Sequence, residues 1–374
     1  MEAASRYDPH AMKVPVAERY AIASISCGRD HTLALLDNGK ALGWGGDGSG
    51  RIQSRALEYC SSLKIPARPV EVILRQELIS VSAGHGTSLG ITAQEQVVIW
   101  GATAAGIGGR LEAVALSAPQ PVAGIAGART IAAGEFLFGA IDAAGTIFTW
   151  GLNTEGALGR PTTHFNAMPG PIVNVPPAST LASGKGYMLA MMRDGQLYAW
   201  GNNAAGQLGL GHLSSVATPQ ALLPKMKFRS IGAGATHTLA VTTEGELLAW
   251  GSNHRGQLGQ QKLAYSALPL PVKLPERVQT VVAGMHFSLA LGDSGQMYAW
   301  GWNGHGQLGL NDTVDRHMAV RVPALERVRS IAAGETHAVA LTAGALLGWG
   351  NNAFGQIGAA DRQRLHPTSF LTLS

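Results

Sequence analysis

The chain has 374 residues, 14% of them charged and 46% apolar, with a net charge of +4. Its basic residues are scattered singly, unlike the clustered stripe of a nucleic-acid binder, and no apolar run is long enough to span a membrane. Two cysteines, Cys27 and Cys60, form neither a metal-ligand spacing nor a disulfide framework.

Residues 1–19 read as an N-terminal extension that mixes acids and bases. This stretch is no basic tail for chromatin and holds no apolar core of signal-peptide length. A cytoplasmic protein is the expectation, with export by another route left open.

From residue 20 the chain repeats itself. Tryptophans fall at Trp44, Trp100, Trp150, Trp200, Trp250, Trp300 and Trp349, about fifty residues apart, each followed six residues later by a glycine. Upstream of each stands a small residue plus glycine, beginning with Cys27-Gly28 and ending with Ala333-Gly334. Between Trp44 and Trp100 lie six extra residues, read as an insertion within 46–66. One unit shows what each contains. "RVQTVVAG" from Arg277 reads as a strand, and "FSLALGDSGQMYAW" from Phe287 as two strands around a DSG turn. "MAVRVPAL" from Met318 is a fourth, after the glycine-rich loop. At the C-terminus, "HPTSFLTLS" fills the place of the last fourth strand.

Four antiparallel strands repeated seven times predict an all-β, seven-bladed β-propeller over residues 20–374. An open solenoid would end in atypical capping units, whereas the first and last units here carry the same motif as the middle ones, so a single closed ring is expected. The tryptophan would end the third strand and pack between blades, and the glycines would let the chain reverse tightly.

The paired motifs, seen together in "AGATHTLAVTTEGELLAWGSNHRGQLG" from Ala233, resemble those of the regulator of chromosome condensation family of seven-bladed propellers. The resemblance covers roughly residues 20–374. It implies the fold far more closely than the activity, because the family includes an exchange factor for the small GTPase Ran, a plant UV-B photoreceptor and a secreted inhibitor of β-lactamases.

Motifs that carry chemistry are scarce. There is no GxSxG, HExxH, CxxC or lysine-bearing phosphate loop. "GIGGRLEAVALS" from Gly106 lacks both dinucleotide spacing and a βαβ setting. His31, His237 and His337 share one slot, three residues after the repeat glycine, and are expected to hydrogen-bond loop backbone. Thr87, Leu137, Tyr187 and Phe287 fill that slot elsewhere, so no histidine ring, metal site or cofactor is expected.

Strand parity puts the small-residue–glycine turn and the loop after tryptophan on one face. Two candidate sites follow. The channel mouth would gather Arg29, Asp30, His85, Glu135, Lys185, His286 and Glu335, a mixture able to hold a small polar ligand. Glu135, His286, His85, Lys185 and Glu335 would be its acid–base candidates if the protein is an enzyme. The outer loops would bring His254, Arg255, Trp302, His305 and Phe354 into one sector, with residue types that anchor protein interfaces. The leading reading is a propeller that binds a protein partner through this face, with guanine-nucleotide exchange on a small GTPase as one form. An enzyme or small-ligand binder at the mouth is the rival reading, and a protein inhibitor of an enzyme is a third. Nothing in 46–66 matches the family's inserting element residue by residue. Only Trp302 lies outside the blade tryptophans, too few for a photoreceptor.

Overall fold

Val278–Ala283, Phe287–Gly292, Met297–Gly301 and Arg316–Arg321 follow one another in sequence and pair as neighbours in a single antiparallel sheet. β-Branched residues dominate the first run, and Phe287, Tyr298 and Trp300 bring aromatics to the next two. Each is bounded by a turn that its own residues specify: Gly295 of the DSG turn has φ +77° and donates its N–H to the Gly292 carbonyl at 3.0 Å.

The same unit recurs seven times in the computed structural model, which describes residues 21–46, 69–72, 76–103, 114–162, 165–323, 325, 327–359 and 361–372. The blades run 22–71, 78–121, 128–171, 178–222, 228–272, 278–321 and 328–372, each a four-stranded sheet whose strands lie in chain order. Among the described residues the only helical piece is a 3-10 turn, Thr154–Gly156. The N-terminal extension, most of the 46–66 insertion and Cys60 lie outside the described residues.

Burial is graded outward. The second strand of a blade is closed off on both faces, as in His237–Thr242, while the fourth exposes much of its surface, as in Val216–Leu222. All seven repeat tryptophans are fully buried. Trp200, Trp250, Trp300 and Trp349 each donate the indole N–H at 2.9 Å to a loop carbonyl of the preceding blade, from Ala157, Gln207, Gln257 and Gln307. In these four blades the ring fills the gap between sheets without orphaning its one polar atom.

Among the described residues no blade borrows a strand from the other end of the chain, and blade 7 meets blade 1 as blade 4 meets blade 5. Thr32 Oγ1 donates to the Gln356 carbonyl at 2.8 Å, as Thr238 Oγ1 does to that of Gln207 at 2.7 Å. Phe370 packs on Trp44 with ring centroids 5.3 Å apart. The C-terminal segment pairs as expected, but its strand begins at Gln363, before "HPTSF".

One sequence expectation needs correction here. The slot histidines do not bond loop backbone through Nε2. Each reaches a hydroxyl on the second strand of the next blade: His31 to Ser88 at 3.1 Å, His237 to Ser288 at 3.0 Å and His337 to Thr32 at 3.0 Å. A side chain stacked over its own turn is already aimed across the blade seam, which sequence spacing does not reveal. Cys27 is only partly buried and lines the channel, although burial pushes its thiol up to about 12.

Candidate functional site

The site is built on the turn between the first and second strands. There the N–H of the residue after the repeat glycine donates to a carbonyl of the next blade's turn. Arg29 donates to Gly84, His85 to Gly134, Ala235 to Met285, Met285 to Glu335 and Glu335 to Gly28, all at 3.2–3.3 Å. This belt explains the glycine, since a Cβ on Gly334 would lie 2.4 Å from the Gly28 carbonyl oxygen. The belt surrounds a cavity of about 180 Å³ at the channel mouth.

The first residue after each glycine faces that cavity, giving in ring order Arg29, His85, Glu135, Lys185, Ala235, Met285 and Glu335. The second residue turns outward, its carbonyl accepting the N–H of the residue that follows the tryptophan–glycine pair. Thr236 takes it from Ser252 and His286 from Trp302, at 2.8 and 2.9 Å. Two of the seven mouth candidates are therefore displaced from the mouth. Asp30 is buried beneath it, its carboxylate 3.1 Å from the Arg29 guanidinium. His286 lies beside Trp302, ring centroids 6.3 Å apart, and is absent from the cavity wall. Burial, and then the Arg255 guanidinium, hold the His286 imidazole below its usual range, against an opposing pull from Glu335.

The remaining mouth groups form two clusters. His85 bridges Glu335 and Arg29, with Nδ1 2.7 Å from Glu335 Oε1 and Nε2 2.7 Å from Arg29 Nη1. Arginine can only donate, so Nε2 carries the lone pair and Nδ1 the proton given to Glu335. Across the channel Lys185 Nζ stands 3.3 Å from Glu135 Oε2.

The rim candidates sit on loops braced from below. In the loop after Trp250, buried Asn253 accepts the Leu258 N–H at 2.9 Å and donates to the carbonyls of Gln260 and Leu263 at 2.9 and 2.8 Å. Buried Gln257 accepts the Arg255 N–H at 2.9 Å, as Gln307 does for His305 and Gln356 for Phe354. His254, Arg255 and Phe354 are exposed, with Arg255 3.5 Å from Asp315. Trp302 stands between His286 and His305, 5.3 Å from the latter. The structure brings Trp302, His305 and His286 into direct contact, with Arg255 and His254 close enough to act electrostatically on His286.

Sequence reading missed two features. The asparagine and glutamine of the loop motif were visible as repeated letters, but their role as buried braces depends on how the loop folds back. The second is a set of exposed apolar side chains near where loops pass into fourth strands in successive blades, Phe165, Leu213, Leu263, Tyr265 and Val314, with Phe354 exposed at a loop tip. Phe165 is 63% and Val314 61% exposed. In a strand-rich sequence such residues look like core.

Comparison with known proteins agrees with this architecture. The model of the RCC1-like domain matches residues 106–374, and that of the RCC1 repeat matches residues 22–51. The chain belongs to the RCC1-like domain family. It is 33% identical over 90 residues to the RCC1 domain-containing protein RUG3, mitochondrial, of Arabidopsis thaliana, a match covering 24% of this chain and 19% of that protein. Human WBSCR16 superimposes with a TM-score of 0.79 at 21% identity, over 90% of this chain and 94% of the other. Prp20p of Saccharomyces cerevisiae, whose structure was described with its binding to Gsp1p and histones, gives 0.74 at 22% identity, over 85% of this chain and 82% of that one. These structural likenesses establish the fold. Among the described residues no helix is long and apolar enough to cross a membrane.

Proposed function

We propose that this RCC1-like propeller is an interaction protein whose loop-rich face, in the sector of blades 5 to 7, docks a folded protein partner. The observation that carries this reading is the pairing of braced loop tips with anchors that are exposed (Arg255, Phe354) or half-buried (Trp302, His305). Gln257, Gln307 and Gln356 fix the backbone under Arg255, His305 and Phe354, so little conformational freedom is lost when those side chains are covered. Trp302 supplies the central aromatic, and exposed Phe354 on the loop of the next blade adds apolar area of the kind that anchors an interface.

Within that reading, a small GTPase is the partner class we favour, with nucleotide exchange as the activity. The family resemblance supports it, as does the fold shared with Prp20p and its described binding to Gsp1p. We place the protein in the cytoplasm. The mitochondrial relative makes cell fractionation the check on that assignment.

The experiment is release of labelled GDP from a panel of small GTPases, a Ran-like member included, with catalytic amounts of the full chain. Acceleration for one member is expected, together with direct binding measurable by calorimetry. Trp302→Ala and Arg255→Glu should each weaken that binding by about 2 kcal/mol or more, as anchor residues do, with melting temperature nearly unchanged. Glu135→Gln should have a smaller effect. No acceleration across the panel rejects exchange for those members, and full affinity in both rim variants rejects the docking sector.

A further inference from the structure

The channel mouth carries more charge than its architecture requires. The belt of turn amides uses backbone atoms alone, and Ala235 occupies one of the seven inward positions without disturbing it. Nor is stability a sufficient reason for the charges. The Lys185 side chain is 59% exposed and its partner Glu135 30% exposed, and pairs of that kind contribute about 0–1 kcal/mol.

Charge is also distributed unevenly around the ring. Arg29, His85, Glu135 and Lys185 crowd blades 1 to 4, Glu335 stands alone on blade 7, and the arc between Lys185 and Glu335 carries only Ala235 and Met285. Among the described residues, Lys185 Nζ makes one ionic contact, to Glu135, and the Glu335 side chain accepts one hydrogen bond, from His85. Each keeps bonding capacity, since an ammonium has three donors and a carboxylate two oxygens. His85 spans from Glu335 to Arg29 and is fixed as the donor to Glu335, so the Glu335 carboxylate is held in place before any ligand arrives. The cavity of about 180 Å³ has room for more than one water-sized group.

We propose that the channel mouth binds a small ω-amino carboxylate, with its carboxylate on Lys185, its ammonium on Glu335 and its hydrocarbon spacer over Ala235 and Met285. A ligand of one sign would meet one of these charges favourably and be repelled by the other. A zwitterion satisfies both, and its apolar middle covers the uncharged arc. The site is separate from the docking sector, because its groups face the axis whereas Trp302 and Arg255 stand on the outer loops.

The test is calorimetric titration of the full chain with glycine, β-alanine, 4-aminobutanoate and 6-aminohexanoate, beside acetate and methylammonium. The expected result is saturable binding with an optimum chain length in the zwitterion series, at least about tenfold tighter than either single-charge control. Lys185→Met and Glu335→Gln should each weaken the best ligand at least about tenfold while thermal melts stay close to the parent. Trp302→Ala should leave binding unchanged, which separates this site from the docking surface. No saturable heat from any zwitterion, equal affinity for acetate or methylammonium, or full affinity in Lys185→Met would each overturn the proposal.

Discussion

Asn253 shows how much one side chain decides at the residue scale. It has no exposure to speak of, yet it satisfies one backbone N–H and two carbonyls that the loop would otherwise leave buried and unmatched. Asn203 does the same in blade 4, and in blade 6 Asn303 accepts the Leu308 N–H and donates to the carbonyl and the carboxylate of Asp312. An unmade buried hydrogen bond costs about 1–3 kcal/mol, so Asn253→Leu should destabilise the ring by roughly 2–4 kcal/mol in urea unfolding. The same change should loosen the tip that carries His254 and Arg255, lowering partner affinity although neither residue is altered. A stability loss below about 1 kcal/mol would contradict the brace role. The repeated asparagine was plain in the sequence. That it faces inward was not, because its partners are main-chain groups up to ten residues away, brought back only by the folded loop.

The second strand is the element whose chemistry ties one blade to the next. His237 and His337 enter this buried strand, and burial pushes their imidazoles down to about 3 and about 4. A free imidazole titrates near ~6.5. Below that pH the unfolded chain therefore binds protons that the folded ring refuses, and stability is full above pH ~6.5 and falls as the pH drops toward those lower values. Each group contributes a slope of about 1.4 kcal/mol per pH unit inside this window. Urea unfolding measured from pH 7.5 to pH 5 should show that decline. His237→Phe, which places in blade 5 the residue that blade 6 has at Phe287, should remove about 1.4 kcal/mol per pH unit from the slope. An unchanged slope would assign the acid sensitivity elsewhere. The slot itself could be read from the sequence spacing. The partner hydroxyls of Ser88, Ser288 and Thr32 could not, since they lie one blade onward and, for His337, at the opposite end of the chain.

For the whole molecule, ring closure is the property that a single blade cannot have. Blade 7 meets blade 1 through Thr32, His337, Trp44 and Phe370, with no shared strand among the described residues. The last strand contributes pairs Leu346–Leu371, Leu347–Ser369 and Gly348–Thr368, all beyond Leu365. Truncation after Leu365 should therefore lower the melting temperature sharply, because it strips Trp44 of its aromatic neighbour and leaves an unpaired edge. Phe370→Ala isolates the seam contact and should cost about 3–5 kcal/mol, as large-to-small changes in a core do. A truncated chain that melts with the parent would mean the seam does not limit stability.

The fold was legible because fifty-residue spacing, turn glycines and buried tryptophans are local demands, repeated seven times, that any chain must meet to form such blades. The candidate residues were legible as positions left free by that frame. Which way those free positions point was decided only by the tertiary structure. Neighbouring residues diverge there, Arg29 toward the axis and Asp30 beneath it, Met285 into the cavity wall and His286 outward to Trp302. The reason is geometric. The turn amide is pledged to the next blade and the following carbonyl to the loop of its own blade, so the backbone twists between two adjacent residues under constraints that arise only when seven blades close into a ring.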